Sequence, residues 1–124
     1  MESQEFVKKL IEAQELMAKE NYKDAIAILE ELKKIEENGD FDYSLTHKLY
    51  QLISNSKSLF NQQKILKFIK ILSKKEKTIS VDKLLEVVSK EIDIKMDILR
   101  REIELLILRG LISCNFDGNI LKFL

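Results

Sequence analysis

At 124 residues, with 45% hydrophobic and 34% charged residues, the chain has the composition of a folded domain rather than a disordered segment. Its uninterrupted apolar runs are only a few residues long, so we expect neither a signal peptide nor insertion into a membrane. The net charge is zero, and the single cysteine, Cys114, excludes an internal disulfide and favours a cytoplasmic location.

The charge is divided unevenly along the chain. Residues 1–56 carry 7 Lys against 12 Asp plus Glu, a net charge of −5. Residues 57–124 carry 14 Lys plus Arg against 9 Asp plus Glu, a net charge of +5. This asymmetry indicates either a basic surface for a partner in the second half or two halves that attract each other.

The first half of the chain has the periodicity of helices. Apolar residues spaced by three and four predict helices over about 4–19, 22–37 and 42–55, with Asn38-Gly39 ending the second. The segment AKENYKDAIAILEEL, residues 18–32, resembles the turn and second helix of a tetratricopeptide repeat. Four of its residues stand at that repeat's aromatic, small and packing positions: Tyr22, Ala25, Leu29 and Leu32. The resemblance covers half a repeat and implies a helical hairpin.

The second half changes character after the polar run SNSKS, residues 54–58. This run predicts a boundary between a helical unit, 1–56, and a second unit, 57–124, which we expect to share one core. A helix over about 61–75 is followed by a short extended piece, a helix over 81–90 and a helix over 94–109. Ser80 and Asp93 are predicted N-caps of the last two helices, and Gly110 is the predicted stop.

The chain ends in a predicted β-hairpin with strands 111–116 and 119–123. Asp117-Gly118 favours a two-residue type I′ turn, which would pair Phe116 with Asn119 and Cys114 with Leu121. Alternation then places five residues on the inner face, namely Ile112, Cys114, Phe116, Leu121 and Phe123. The last strand is expected to present a free edge.

Residues 78–123 resemble the winged-helix part of PCI domains, the scaffold modules of the proteasome lid, the signalosome and a translation initiation factor. The residues that carry the resemblance are Ile79-Ser80, Leu84, Leu85, Ile98, Ile103, Ile107, the exit Arg109-Gly110-Leu111-Ile112 and the turn Asp117-Gly118. The resemblance implies a mainly α fold, in which an N-terminal helical hairpin or bundle packs on a C-terminal winged helix with a small antiparallel β-hairpin. It also implies a protein-interaction scaffold or a subunit of an assembly.

The sequence offers no constellation of residues for catalysis, a cofactor or a metal ion. His47 is the only histidine and has no nucleophile at a recognisable spacing, so we interpret it as a surface or packing residue. Cys114 is expected to be buried and inert. One His and one Cys are too few for a zinc site, and no glycine-rich phosphate loop is present. The sequence therefore predicts a non-enzymatic protein.

Two kinds of partner remain. A protein partner, or a second copy of the chain, would use the outward side of the last helix and of the hairpin: Arg100, Arg101, Glu104, Leu108, Ile120, Lys122 and Leu124. The alternative is a small winged-helix DNA-binding regulator that uses Lys64, Lys67, Lys70, Lys74, Arg100 and Arg101. The predicted hairpin tip has one acid and no base, which favours a protein partner.

Overall fold

The computed structural model describes residues 1–124 as five helices and one small sheet. The helices are α1 (Ser3–Ala18), α2 (Tyr22–Glu37), α3 (Tyr43–Leu72), α4 (Val81–Val88) and α5 (Met96–Leu108). The strands are β1 (Thr78–Ser80), β2 (Cys114–Asp117) and β3 (Ile120–Phe123). The chain divides into two compact units, unit 1 (Met1–Phe60) and unit 2 (Asn61–Leu124). The prediction of a mainly helical fold with a small antiparallel sheet is confirmed.

The core of unit 1 is apolar and comes from α1, α2 and the first part of α3. Its buried members are Phe6, Leu10, Ala13, Leu29, Leu32, Leu49, Leu52 and Ile53. Helices α1 and α2 pack along each other. Ala13 on α1 and Ala25 on α2 have no exposed surface, as expected where small side chains let two helix backbones approach closely.

The turn between α1 and α2 contains the only non-glycine residue with a positive φ, Glu20 at +61°. The Glu20 N–H donates to Met17 O, and the Asn21 N–H donates to Leu16 O. This is the Schellman pattern that ends many helices, with a glutamate where glycine is usual. Asn21 then caps α2 by accepting a hydrogen bond from the Asp24 N–H.

Helix α3 is continuous, and the predicted break between two helices at residues 54–58 is wrong. Serine and asparagine are weak helix formers, but they do not stop a helix as proline or glycine can. Neither proline nor glycine occurs within α3. The hydroxyl of Ser56 donates to Ile53 O at 3.1 Å, so this buried polar group is satisfied within the helix.

The helices of unit 2 confirm two of the three predicted end signals. Ser80 caps α4 by accepting from the Lys83 N–H at 3.1 Å. Gly110, at φ +73°, ends α5 in a Schellman motif. Asp93 is not the N-cap of α5, because Lys95 occupies that position and makes no side-chain cap bond. The flanking Ile92 and Ile94 are both buried, so the chain there alternates like a strand and turns Asp93 to solvent.

The sheet has the order β1-β3-β2, with both pairs antiparallel. Strand β3 is therefore the central strand, and the prediction that it presents a free edge is wrong. The predicted register is also wrong, because Cys114 pairs with Phe123 and Phe116 pairs with Leu121. The turn residues are Gly118 and Asn119, and only Gly118 has a positive φ (+59°). A glycine at the first turn position fits a type II′ turn, whereas type I′ needs a positive φ at both positions.

Candidate protein-interaction surface

Helix α5 places a charged side chain among its buried apolar ones. Leu99, Ile103 and Leu106 are buried on its inner side, and Glu102 lies beside them with no exposed surface. On the opposite side Arg101, Glu104, Leu105 and Leu108 are exposed. The predicted outward residues Arg101, Glu104 and Leu108 therefore do face solvent.

Arg100 is directed at the hairpin and is partly exposed. Its guanidinium carbon lies 4.6 Å from the centroid of the Phe116 ring, within the range of a cation–π contact. Its two terminal nitrogens lie 3.4 and 3.5 Å from Gly118 O, which makes long hydrogen bonds to the turn. Arg100 thus holds the turn of the hairpin against α5. The structure separates it from Arg101, with which it was grouped on sequence.

A polar network joins α5 to the part of α3 that belongs to unit 2. Arg101 Nε and Nη2 donate to Glu102 Oε1 at 3.2 and 3.1 Å. Gln62 Nε2 donates to Glu102 Oε2 at 3.0 Å, and Arg109 Nη1 donates to Gln62 Oε1. Glu102 and Gln62 are buried, whereas the side chain of Arg101 is 58% exposed and Arg109 is exposed. A buried carboxylate and amide therefore hold two exposed guanidinium groups.

Sequence reasoning missed Glu102, Gln62 and Arg109 as candidate site residues. The signal was the spacing of Glu102, which follows Leu99 by three positions and precedes Leu106 by four. A helix places such positions on one face, so an acidic residue there is expected to be buried and paired. Gln62 has no comparable signal, because a glutamine on a helix is usually a surface residue.

Two leucines near the end of α5 lie outside its buried inner face and are exposed to solvent. Leu105 is 36% exposed and Leu108 is 82% exposed. Arg101, Leu105 and Arg109 are spaced by four, and Leu108 lies one turn after Leu105, so the four side chains share one side of the helix. We call these four residues the arginine–leucine surface. Glu104, one turn before Leu108, borders it.

The outward residues of the hairpin differ in their surroundings. Lys122 pairs with Asp117 across the two strands at 2.9 Å. This hydrogen bond lowers the pKa of the Asp117 carboxyl below its ordinary value. Ile120 is partly exposed and Leu124 is 78% exposed. The one acid that sequence analysis placed at the tip is therefore paired with a lysine of the neighbouring strand.

A cleft of 210 Å³ in unit 2 lies between α3 and the hairpin. Its walls are Ile69, Lys70, Ser73, residues 111–114, Phe123 and Leu124. Cys114 is buried, and this burial raises the pKa of its thiol. A raised thiol pKa leaves less of the reactive thiolate at neutral pH.

The four lysines predicted for the DNA-binding alternative have different environments. Lys64 is half-buried, and Lys67 lies 3.8 Å from a carboxylate oxygen of Glu91. Lys70 borders the cleft, and Lys74 is exposed. The stripe therefore includes one lysine in an ion pair and one that is partly buried.

The remaining titratable candidates are isolated from one another. His47 is exposed in unit 1 and stacks on Tyr43, with ring centroids 6.1 Å apart. No group of three or more His, Cys, Asp or Glu side chains is arranged to hold a metal ion. None of the helices is both long and apolar enough to cross a membrane.

In comparisons with protein-family models, curated proteins and solved structures, nothing matches the chain. The geometry described above is therefore the basis for a functional assignment.

Proposed function

We propose that this chain is a non-enzymatic protein-interaction scaffold or assembly subunit of the PCI-like winged-helix type, preceded by a helical hairpin that resembles part of a tetratricopeptide repeat. The order helix, strand, helix, helix, strand, strand in unit 2 supports the winged-helix part of the proposal. A cytoplasmic location belongs to the same proposal, because the single cysteine is unpaired.

The observation that carries the proposal is the exposure of Leu108. A large apolar side chain that is 82% exposed at the end of a regular helix, one turn from the partly exposed Leu105, loses its contact with water only when something binds there. Arginine, which lies next to these leucines, is also among the residues that protein interfaces favour. The binding surface in this proposal is the outward side of α5.

The alternative, a winged-helix DNA-binding regulator, has the exposed Lys70, Lys74 and Arg101 in its favour. One contact weighs against it, because Arg100 is bound to the hairpin. The apolar side chain of Leu108, moreover, would find no apolar contact beside a phosphate. A protein partner accounts for more of the exposed side of α5 than a duplex does.

The test is affinity capture from an extract of the source cells with quantification of each captured protein. We expect wild type to retain a discrete partner that Leu108→Asp loses. The matched control is Tyr43→Asp, which adds the same charge at an equally exposed site of unit 1 (80%) and should keep the partner. Light scattering after size-exclusion chromatography detects the case in which the partner is a second copy.

A band-shift assay with duplex DNA at low salt addresses the alternative. Salt-sensitive binding that is lost in Arg101→Gln would favour the DNA-binding regulator. A monomer that captures nothing and shifts no duplex would contradict both functions.

A further inference from the structure

We propose that the arginine–leucine surface binds a partner segment in which acidic residues flank an apolar side chain, and that Glu102 and Gln62 position the two arginines for its carboxylates. This inference rests on the proposed protein-interaction function and adds the chemistry of the partner.

The network leaves each guanidinium able to bind a second anion. Arg101 uses Nε and Nη2 to reach Glu102, and Arg109 uses Nη1 to reach Gln62. A guanidinium carries more N–H groups than these bonds occupy, arranged as a fork that matches a carboxylate. Because both arginines are exposed, the remaining N–H groups are open to a ligand.

The network also lowers the entropic cost of binding. A free arginine on a surface samples many rotamers, and fixing them on binding opposes association. Here Arg101 is anchored by the buried Glu102, and Arg109 is anchored by the buried Gln62. The Gln62 amide donates to Glu102 at 3.0 Å, so the two anchors are themselves joined. The arginines are therefore preorganised on one side of α5.

The exposed leucines favour an acidic peptide over a nucleic acid as the ligand of the two arginines. Leu105 lies one turn from Arg101 and one turn from Arg109, and Leu108 lies beside it. A ligand that reaches both arginines must cover Leu105, and phosphates of a duplex offer no apolar surface for this. A peptide with Leu, Ile or Phe near Asp or Glu offers both. Unit 2 carries 13 Lys plus Arg against 9 Asp plus Glu, so its excess of positive charge also attracts an acidic segment.

The experiment selects ligands from a displayed library of random peptides on the full-length protein. We expect the selected peptides to be enriched in Asp or Glu next to large apolar residues. The tightest peptide is then labelled and titrated by fluorescence anisotropy against wild type and variants. We expect its affinity to fall about tenfold or more when its acids are replaced by amides, and to fall similarly in the double variant Arg101→Gln, Arg109→Gln.

The outcomes separate this inference from the proposed function. Peptides that need Leu108 but show no acid enrichment, and bind equally well as amides, overturn the inference and leave the interaction surface standing. No selected peptide, or binding that is indifferent to Leu108→Asp, overturns both. If duplex DNA binds the same surface and displaces the peptide, the anion is phosphate and the inference fails.

The positioning role of Glu102 is tested by comparing the peptide affinities of the variants Glu102→Gln and Glu104→Gln. Each variant removes one negative charge from α5, so a purely electrostatic attraction predicts that both bind the acidic peptide more tightly. Positioning predicts the opposite for Glu102→Gln, with affinity reduced at least threefold, and no loss for Glu104→Gln. Circular dichroism and protection of the Cys114 thiol report whether each variant is folded. Equal tightening in both variants would contradict the positioning role.

Discussion

The buried residues of the two units differ in chemical character. The core of unit 1 consists of apolar residues, and its buried Ser56 bonds only to the helix that carries it. Unit 2 instead buries Glu102 and Gln62 and connects them to exposed arginines. A buried ion pair rarely stabilises a fold more than well-packed apolar residues would. The interior of unit 1 is therefore explained by folding alone, whereas the polar network of unit 2 points to a surface that it organises.

The turns that end α1 and α5 give a second comparison of the same kind. Both are Schellman motifs with a residue of positive φ, which is Glu20 in unit 1 and Gly110 in unit 2. A side chain in this conformation costs roughly 1 kcal/mol, and glycine avoids that cost. The ending of α5 next to the arginine–leucine surface is thus relaxed, and the ending of α1 is strained.

The largest expected effect lies in the apolar core of unit 1. Phe6 has no exposed surface, and its ring centroid lies 4.5 Å from that of Phe41. Phe6→Ala should lower the free energy of unfolding by about 3 to 5 kcal/mol through lost burial and a cavity. Urea denaturation followed by circular dichroism measures it. Val7→Ala, at a partly exposed neighbour, should cost less than about 1 kcal/mol, and equal losses would refute this account of the core.

The polar network of unit 2 should separate stability from binding. Glu102→Ala removes the acceptor of the buried Gln62 amide and leaves a cavity in the interior, and should cost about 3 kcal/mol of unfolding free energy. The double variant Glu102→Met, Gln62→Leu replaces the pair by apolar residues of similar size and should recover much of that loss. Chemical denaturation gives both values. A double variant as unstable as Glu102→Ala would show that the network is needed for the fold itself.

The two Schellman turns should respond to substitution with opposite signs. Gly110→Ala places a side chain at positive φ and should cost about 1 kcal/mol. Apart from the adjacent residues of the chain, no atom lies within 4 Å of the added methyl position, so the cost would be one of backbone conformation alone. Glu20→Gly relieves the strain in unit 1 and should raise stability by roughly 0.5 kcal/mol. Thermal unfolding of both variants tests the pair, and shifts of the same sign would contradict the comparison.

The smallest expected effect is the pH dependence of an ion pair in unit 1. Lys57 Nζ lies 2.7 Å from Glu30 Oε1, and this hydrogen bond lowers the pKa of Glu30 below 4.5. The folded state therefore favours the charged carboxylate, so the contribution is complete above pH 4.5 and is lost as the pH falls through the lower, folded value. Both groups are partly exposed, so Lys57→Met should cost only about 0.5 kcal/mol near pH 7.

Stability measured as a function of pH provides the control for this prediction. Wild type and Lys57→Met should converge on acidification, because protonated Glu30 no longer attracts Lys57. A difference that stays constant down to strongly acidic pH would assign the loss to packing of the lysine side chain.

Local patterns were sufficient to predict most of the helices, since the spacing of apolar residues and the caps act within a few positions. The break in α3 was predicted wrongly because a run of small polar residues looks like a loop in sequence, although it can continue a helix when, as at Ser56, a buried hydroxyl bonds to the helix backbone. The inner face of the hairpin was predicted correctly, although its register was not. A shift of two residues preserves which side chains point inward, so alternation cannot distinguish the two registers.

The remaining features depend on contacts between distant parts of the chain. The pairing of β1 with β3, which makes β3 central, joins Ile79 to Leu121 and has no local signal. The bond between Gln62 and Glu102 also has no local signal. The position of Glu102 within an apolar face does, however, indicate that this acid is buried and paired. The exposed Leu108 was identified from sequence because the inner face of α5 was already filled by other residues.

The most direct test of the proposed surface is photocrosslinking from position 108. A photoreactive amino acid replaces Leu108 in one variant and Tyr43, the similarly exposed residue of unit 1, in another. If α5 is a docking surface for protein, position 108 gives a discrete crosslinked product in the source cells, and position 43 does not. No product at position 108, or the same products from both positions, would contradict the account.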